Sequence, residues 1–248
     1  MPLTHEEFFT KELRDSFSVW LRAVADSDAL LTTSHTAMRE IEDACKQFGS
    51  HPTFHCAPLG IGQMQKSSRA HRPRAPYFVA LGAVEPRKNV DLLLATWATF
   101  DTPPTLYLIG AVDSALRDRT LPTGVVVRSD VADDELAALL SGARALLFPS
   151  LAEGYGLPLL EALAAGVPVI GSELPVFREL GANIPELLPP RDVVAWRRMV
   201  LAYLQDDGPR RAQLDRMLGW SAPTWEHHFR AVGAALDDMM KRSSKQTR

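Results

Sequence analysis

From Tyr77 onward, short apolar runs alternate with amphipathic patterns, and this alternation restricts the chain more than any other feature. The runs Tyr77–Leu81, Thr105–Ile109, Val125–Arg128, Ala145–Phe148 and Pro168–Ile170 are rich in Val, Leu, Ile and aromatics and read as strands. Between them, Val90–Phe100, Ala115–Arg119, Asp133–Ser141, Pro158–Ala165 and Val176–Leu180 read as helices. Further helices follow at Val193–Gln205, Arg210–Leu218 and Thr224–Met240. Near-continuous apolar strands separated by helices require a parallel sheet covered on both faces, because parallel crossovers lay helices over the sheet. The fold class expected is α/β.

Upstream, Glu6–Val24 reads as an amphipathic helix, with Phe9, Leu13, Phe17, Trp20, Leu21 and Val24 at three-to-four spacing. Ala29-Leu30-Leu31 is a short strand, and Ser34 suits the N-cap of a helix over Thr36–Phe48 that Gly49 ends. A second strand is expected at Thr53–Ala57. The organisation expected is a partial first segment over residues 1–62, a linker over 63–76, a sheet domain over 77–218 and a C-terminal helix and tail over 219–248. The linker carries Lys66, Arg69, His71, Arg72 and Arg74, and no Asp or Glu occurs from Ala44 to Val84. These bases read either as a solvated loop or as attraction for a polyphosphate.

Composition narrows the function classes. The chain is 46% hydrophobic and 23% charged, as a folded protein is, with a net charge of −3 that gives no reason to expect nucleic acid as a partner. Two cysteines, Cys45 and Cys56, without a C-x-x-C, argue against a disulfide scaffold or structural zinc. The charged first twenty residues do not resemble a signal peptide. A cytoplasmic setting is expected, with the inner membrane face as a peripheral location.

In doubly wound sheets, ligands sit where strand ends lead into helix N-termini. One such loop is Gly82-Ala83-Val84-Glu85-Pro86-Arg87-Lys88-Asn89, where Arg87 and Lys88 either solvate a turn or meet a diphosphate. Another runs from Pro149 through Glu153-Gly154-Tyr155-Gly156-Leu157-Pro158 to Glu161. Gly154 and Gly156 leave backbone N–H groups at the positive end of a helix, which favours phosphate. Glu153 and Glu161 flank that nest and suit sugar hydroxyls, although Glu161 alone reads equally as a cap or a core salt bridge. A third loop, Arg128-Ser129-Asp130-Val131, offers backbone groups to a base edge. Asp26-Ser27-Asp28 matches a metal-binding D-x-D pattern but reads as a turn. His227 and His228 read as surface helix residues.

These loops together resemble the donor half of a GT-B glycosyltransferase of the retaining family 4, or group 1. The match rests on Glu85-Pro86-Arg87-Lys88-Asn89, Tyr107-Leu108-Ile109-Gly110, Phe148-Pro149-Ser150, the Glu153–Glu161 pair spaced as E-x7-E, and Ala165-Gly166-Val167-Pro168-Val169-Ile170. It covers roughly Tyr77 to Gln205. The resemblance implies a Rossmann-like sheet, with Arg87 and Lys88 neutralising a donor diphosphate. Gly154, Tyr155, Gly156 and Leu157 would present amides to phosphate or sugar, with Gly82 allowing close approach. Glu161 would bind the ribose, Val131 would lie beside the base, and Glu153 would contact the transferred sugar. Glu153, Arg87 and Lys88 form the implied catalytic set; no metal or other cofactor is implied.

The form Glu85–Asn89 leans toward GDP-mannose over a UDP-linked donor, and the acceptor implied is a glycan or lipid-linked glycan. Two departures stand out: Ala83 replaces a common Arg, and Gly60-Ile61-Gly62 replaces a common Gly-Val/Ile-Asp. Only about sixty residues precede the linker, too few for an acceptor domain on ordinary domain sizes. The expectation is either a truncated gene product or a missing half that arrives as a separate acceptor-domain subunit, with self-association through the apolar residues of Glu6–Val24 as a further expectation. The rival expectations are a non-catalytic nucleotide-sugar-binding or interaction module, and a GT-B epimerase or phosphorylase.

Overall fold

The computed structural model describes residues 5–62, 73, 75–82, 85–110 and 119–246. The chain divides into two compact units, one formed by Met1–Gly62 with Ala222–Arg248 and the other by Gln63–Ser221. Most of the expected linker, Ala83, and all but Arg119 of the expected helix Ala115–Arg119 lie outside the described residues.

In the first unit, Glu6–Phe8 is a 3-10 turn, and helix α1 spans Lys11–Ala25 with Thr10 as its cap, accepting from the Leu13 N–H at 3.3 Å. Strand β1 (Ala29–Thr32) pairs in parallel with β2 (Thr53–Cys56). Helix α2 (His35–Lys46) connects them, capped by Ser34, which accepts from the Ala37 N–H at 3.0 Å. Leu21, Ala25, Ala44 and Cys45 form a small core with Phe17, Leu30, Ile41 and Phe54. Asp26–Asp28 is the turn between α1 and β1, where the Ser27 hydroxyl donates to Val24 O at 2.6 Å.

The last helix of the chain, Trp225–Gln246, belongs to this unit. The Ile61 N–H donates to Pro223 O at 3.1 Å, and Arg242 reaches Thr53 Oγ1 at 3.0 Å. Gly60 allows this close approach, since a Cβ there would lie 2.2 Å from the Trp225 nitrogen. His227 is exposed, whereas His228 corrects the expectation of a surface residue: its Nδ1 lies 3.1 Å from Ala57 O and 3.2 Å from Pro58 O.

The second unit holds one six-stranded, wholly parallel sheet. In chain order its strands are β3 (Tyr77–Leu81), β4 (Thr105–Ile109), β5 (Val125–Arg128), β6 (Leu146–Phe148), β7 (Val169–Ser172) and β8 (Glu186–Leu188). In space the order is β5-β4-β3-β6-β7-β8. The intervening helices are α3 (Val90–Trp97), α4 (Asp133–Gly142), α5 (Leu157–Ala164) and α6 (Pro175–Gly181). α7 (Val193–Tyr203) and α8 (Pro209–Met217) follow the sheet.

Successive residues of β3 alternate between two buried faces, as a strand with helices on both sides must. Phe78 packs edge-on against Trp97 of α3, in a core shared with Trp196, Val200 and Tyr203 of α7. Tyr77 points the other way and donates its hydroxyl to Leu139 O of α4 at 2.8 Å. The two core indoles are similarly satisfied. Trp97 Nε1 donates to Pro104 O at 2.8 Å, and Trp196 Nε1 to Pro189 O at 3.0 Å. Strand β8 was not expected; it is three residues long and lies between Pro185 and Pro189.

Candidate functional site

The spatial order places a topological switch between β3 and β6, because β4 and β5 extend the sheet on one side and β7 and β8 on the other. The loops leaving β3 and β6 therefore diverge and open a crevice at their carboxyl ends, the usual ligand position in such sheets. A small cavity lies there, lined by Gly82, Lys88, Ile109, Gly110, Phe148 and Ser150 among others.

The β3 loop enters through Gly82, which lies against the Lys88 side chain. It then turns through the 3-10 segment Pro86–Lys88, so Arg87 and Lys88 stand immediately before α3. Asn89 closes the turn at φ 54°, ψ 39°, a left-handed conformation that Asn tolerates better than most residues. Its amide donates to Pro149 O at 3.0 Å and to Pro190 O at 2.7 Å, and the Leu151 N–H donates to Arg87 O at 2.7 Å. These three bonds tie the β3 loop to the β6 loop and to the segment after β8.

Across this junction, Lys88 Nζ lies 2.6 Å from Glu153 Oε1 and Arg87 NH1 lies 3.3 Å from Glu153 Oε2. The Ser150 hydroxyl donates to Glu153 Oε1 at 2.7 Å. Arg87 is held from its other side by Glu85, at 2.8 and 3.4 Å. Lys88 Nζ also lies 5.1 Å from the centre of the Phe148 ring, a cation–π contact. The Glu153 side chain is only 8% exposed and that of Lys88 13%, so little water weakens their attraction.

Beyond Glu153 the chain passes the exposed Gly154 and the buried Tyr155 to Gly156, the residue before α5. Gly156 has φ 112°, and a Cβ there would lie 2.9 Å from Phe177 Cε1. Phe177 itself packs against Phe148, with ring centres 4.7 Å apart and planes tilted by 31°, so an aromatic floor fixes the glycine turn. With Gly156 as its cap, α5 begins at Leu157 without a side-chain acceptor, leaving its N-terminus suited to an anion.

Glu161 lies one turn into α5 and is half-buried. Among the described residues its carboxylate makes neither an ion pair nor a hydrogen bond. Burial raises its pKa above the usual carboxylate value. Val131 lies on the loop after β5, the outer strand, two strands from the switch, where Arg128 pairs with Glu135 at 2.7 Å.

The structure thus brings Arg87, Lys88, Glu153 and the Gly154–Gly156 turn together, and sets Val131 apart along the sheet edge. Sequence reasoning did not single out Ser150 and Asn89. Both stand inside quoted motifs, but a side-chain hydrogen bond to another loop leaves no periodic signal.

The pattern describing glycosyl transferases group 1 matches residues 75–206, more than half of the chain. The chain is 34% identical over 131 residues to the O-antigen chain mannosyltransferase RfbU of Salmonella typhimurium, covering 50% of this chain and 37% of that protein. It is 32% identical over 163 residues to O-antigen chain mannosyltransferase B of Escherichia coli, covering 61% and 43% respectively. The chain thus spans well under half the length of these two relatives. Sucrose-phosphate synthase from Thermosynechococcus elongatus shares the fold, with a TM-score of 0.66 at 19% identity over 94% of this chain and 63% of that one. With a matching family pattern over a switch-point site on a parallel sheet, the chain belongs to the group 1 glycosyltransferases of GT-B fold.

Proposed function

We propose that this chain supplies the donor-binding part of a retaining glycosyltransferase that moves mannose from GDP-mannose to a glycan or lipid-linked glycan. The observation that carries the reading is the convergence of Arg87 and Lys88 on Glu153, beside the glycine turn that starts α5. Two cations and a helix N-terminus suit a diphosphate, and an adjacent carboxylate suits sugar hydroxyls. The mannosyltransferase relatives support the choice of sugar.

In this reading the bond that breaks joins the anomeric carbon to a diphosphate oxygen, which keeps the electron pair. Arg87, Lys88 and the amides of Gly154, Gly156 and Leu157 stabilise the charge developing there. The acceptor oxygen attacks the same face, and its proton passes to the departing phosphate, so configuration is retained. Glu153 holds a hydroxyl of the transferred sugar, Glu161 the ribose, and Val131 flanks the base. Gly82 and Tyr155 shape the approach to the diphosphate. Charge neutralisation falls to side chains, so transfer is expected to survive chelation by EDTA. The acceptor site, and any membrane-face location, belong to a further domain or subunit.

A second reading is a module that binds a nucleotide sugar without transferring it. Calorimetric titration with GDP, UDP and GDP-mannose tests the shared core of both readings. Wild-type protein is expected to bind GDP, and Lys88→Ala to lose about 100-fold in affinity, or about 2.7 kcal/mol. Absence of saturable heat with every ligand overturns the donor site. Transfer of labelled mannose to lipid-linked glycan by the chain plus a candidate acceptor subunit then separates enzyme from module.

A further inference from the structure

We propose that Glu153 is a resident counter-ion that the donor diphosphate displaces from Lys88, and that Ser150 is the positioning residue that retains the displaced carboxylate. The inference rests on the donor-site reading above and concerns how that site is filled.

The two cations are not equivalent. Arg87 has two anionic neighbours, Glu85 at 2.8 Å and Glu153 at 3.3 Å, so it keeps a partner whatever happens to Glu153. Among the described residues, Lys88 has one anionic partner, Glu153 at 2.6 Å. Both side chains are largely withdrawn from water, so separating them is costly unless another anion takes the carboxylate's place. A phosphate oxygen entering the crevice can do so. The exchange swaps one anion for another on the same ammonium group, and no proton or covalent bond changes place.

The displaced carboxylate is not left alone. Ser150, completely buried, donates its hydroxyl at 2.7 Å to Oε1, the same oxygen that Lys88 holds. When Lys88 turns to phosphate, this bond remains and leaves Glu153 acceptor capacity for a sugar hydroxyl. The resident pair thus opposes diphosphate binding, while Ser150 supports sugar binding.

Calorimetry on the full chain with GDP and with GDP-mannose tests this. Glu153→Gln is expected to bind GDP about tenfold more tightly than wild type, because Lys88 no longer has to leave a carboxylate. This sign is opposite to the one a simple ligand-binding carboxylate would give. Ser150→Ala is expected to weaken GDP-mannose binding about tenfold while changing GDP binding less than about twofold, and Ser150→Thr to restore the difference.

Equal or weaker GDP binding by Glu153→Gln overturns the counter-ion role. Equal losses for both ligands in Ser150→Ala overturn the positioning role, since a merely structural hydroxyl would move both together. Thermal unfolding without ligand checks each variant for folding, and the Ser150 pair decides alone if Glu153→Gln does not fold. If wild type binds neither ligand, the donor site itself fails, a result distinct from wild-type binding with the wrong response to substitution.

Discussion

The two units treat their apolar residues differently. In the Gln63–Ser221 unit, six parallel strands lie between helices, and Trp97, Trp196, Tyr203, Phe78, Phe148 and Phe177 are completely or almost completely buried. The smaller unit has two parallel strands and a core made chiefly of Leu21, Ala25, Ala44 and Cys45. Leu13, Val19 and Trp20 of α1 and Trp225, Phe229 and Met240 of the last helix are exposed. A parallel sheet is stable when both faces are covered, and the inner strands of the larger unit achieve this while its edge strand β5 leaves Val126 exposed. The lesson concerns amphipathicity. The three-to-four spacing in α1 identifies residues that favour cover, but Leu13 and Trp20 of that stripe remain in water.

This contrast can be broken in four ways, taken from the largest effect downward. Trp196→Ala empties the centre of the larger core and is expected to cost about 3–5 kcal/mol in urea unfolding, more than any truncation in the small core. A smaller loss than Leu21→Ala produces would reverse the ranking of the units. Gly60→Ala drives a methyl into the Trp225 backbone and should cost roughly 2–3 kcal/mol. If the units unfold separately, circular dichroism will show an early transition moving while tryptophan fluorescence from the larger unit holds; a single shifted transition would mean that they unfold together.

Gly156→Ala imposes a side chain at φ 112° and against Phe177, for roughly 1–2 kcal/mol of stability, together with weaker GDP binding. Unchanged affinity would detach the glycine turn from the ligand site. Glu161→Gln gives the smallest effect, and its sign depends on pH. Because burial raises the folded pKa, the carboxyl's contribution is fully present below its unfolded pKa and is lost as pH rises through the folded one. The variant should therefore melt about a degree higher at neutral pH and show no such gain in acid. A gain in acid instead would contradict the direction of the shift.

Much of the larger unit could be read from residues alone. Tyr77–Leu81, Thr105–Ile109 and Val125–Arg128 coincide with the observed strands, since each is a short apolar run bounded by turn residues. Strand β8 escaped because Glu186-Leu187-Leu188 is too short to establish a period and proline flanks it on both sides. The approach of the Arg87–Lys88 loop to the Glu153–Gly156 loop was accessible because each follows a strand and the switch point brings those loops together, whereas the ion pairs of both cations with Glu153 were not foreseen. The bridging of Asn89 to Pro149 and Pro190, and of Ser150 to Glu153, was not, since it depends on side-chain direction within irregular backbone. The return of the last helix to residues 57–61 was equally hidden: a contact of such separation appears in no local pattern. His228 was misread for that reason.

That return has a consequence for synthesis. The ribosome releases β1, β2 and α2 early, but the helix that packs against them is made only after the whole sheet unit. At about 5–20 residues per second the early segment waits about 10–30 s for it. The inserted sheet can complete its own folding during that interval, while Thr53, His55 and Ala57 lack the partners Arg242, Asp238 and His228 that Trp225–Gln246 will provide. Nascent chains stalled before Trp225 are therefore where chaperone binding to this polypeptide should concentrate.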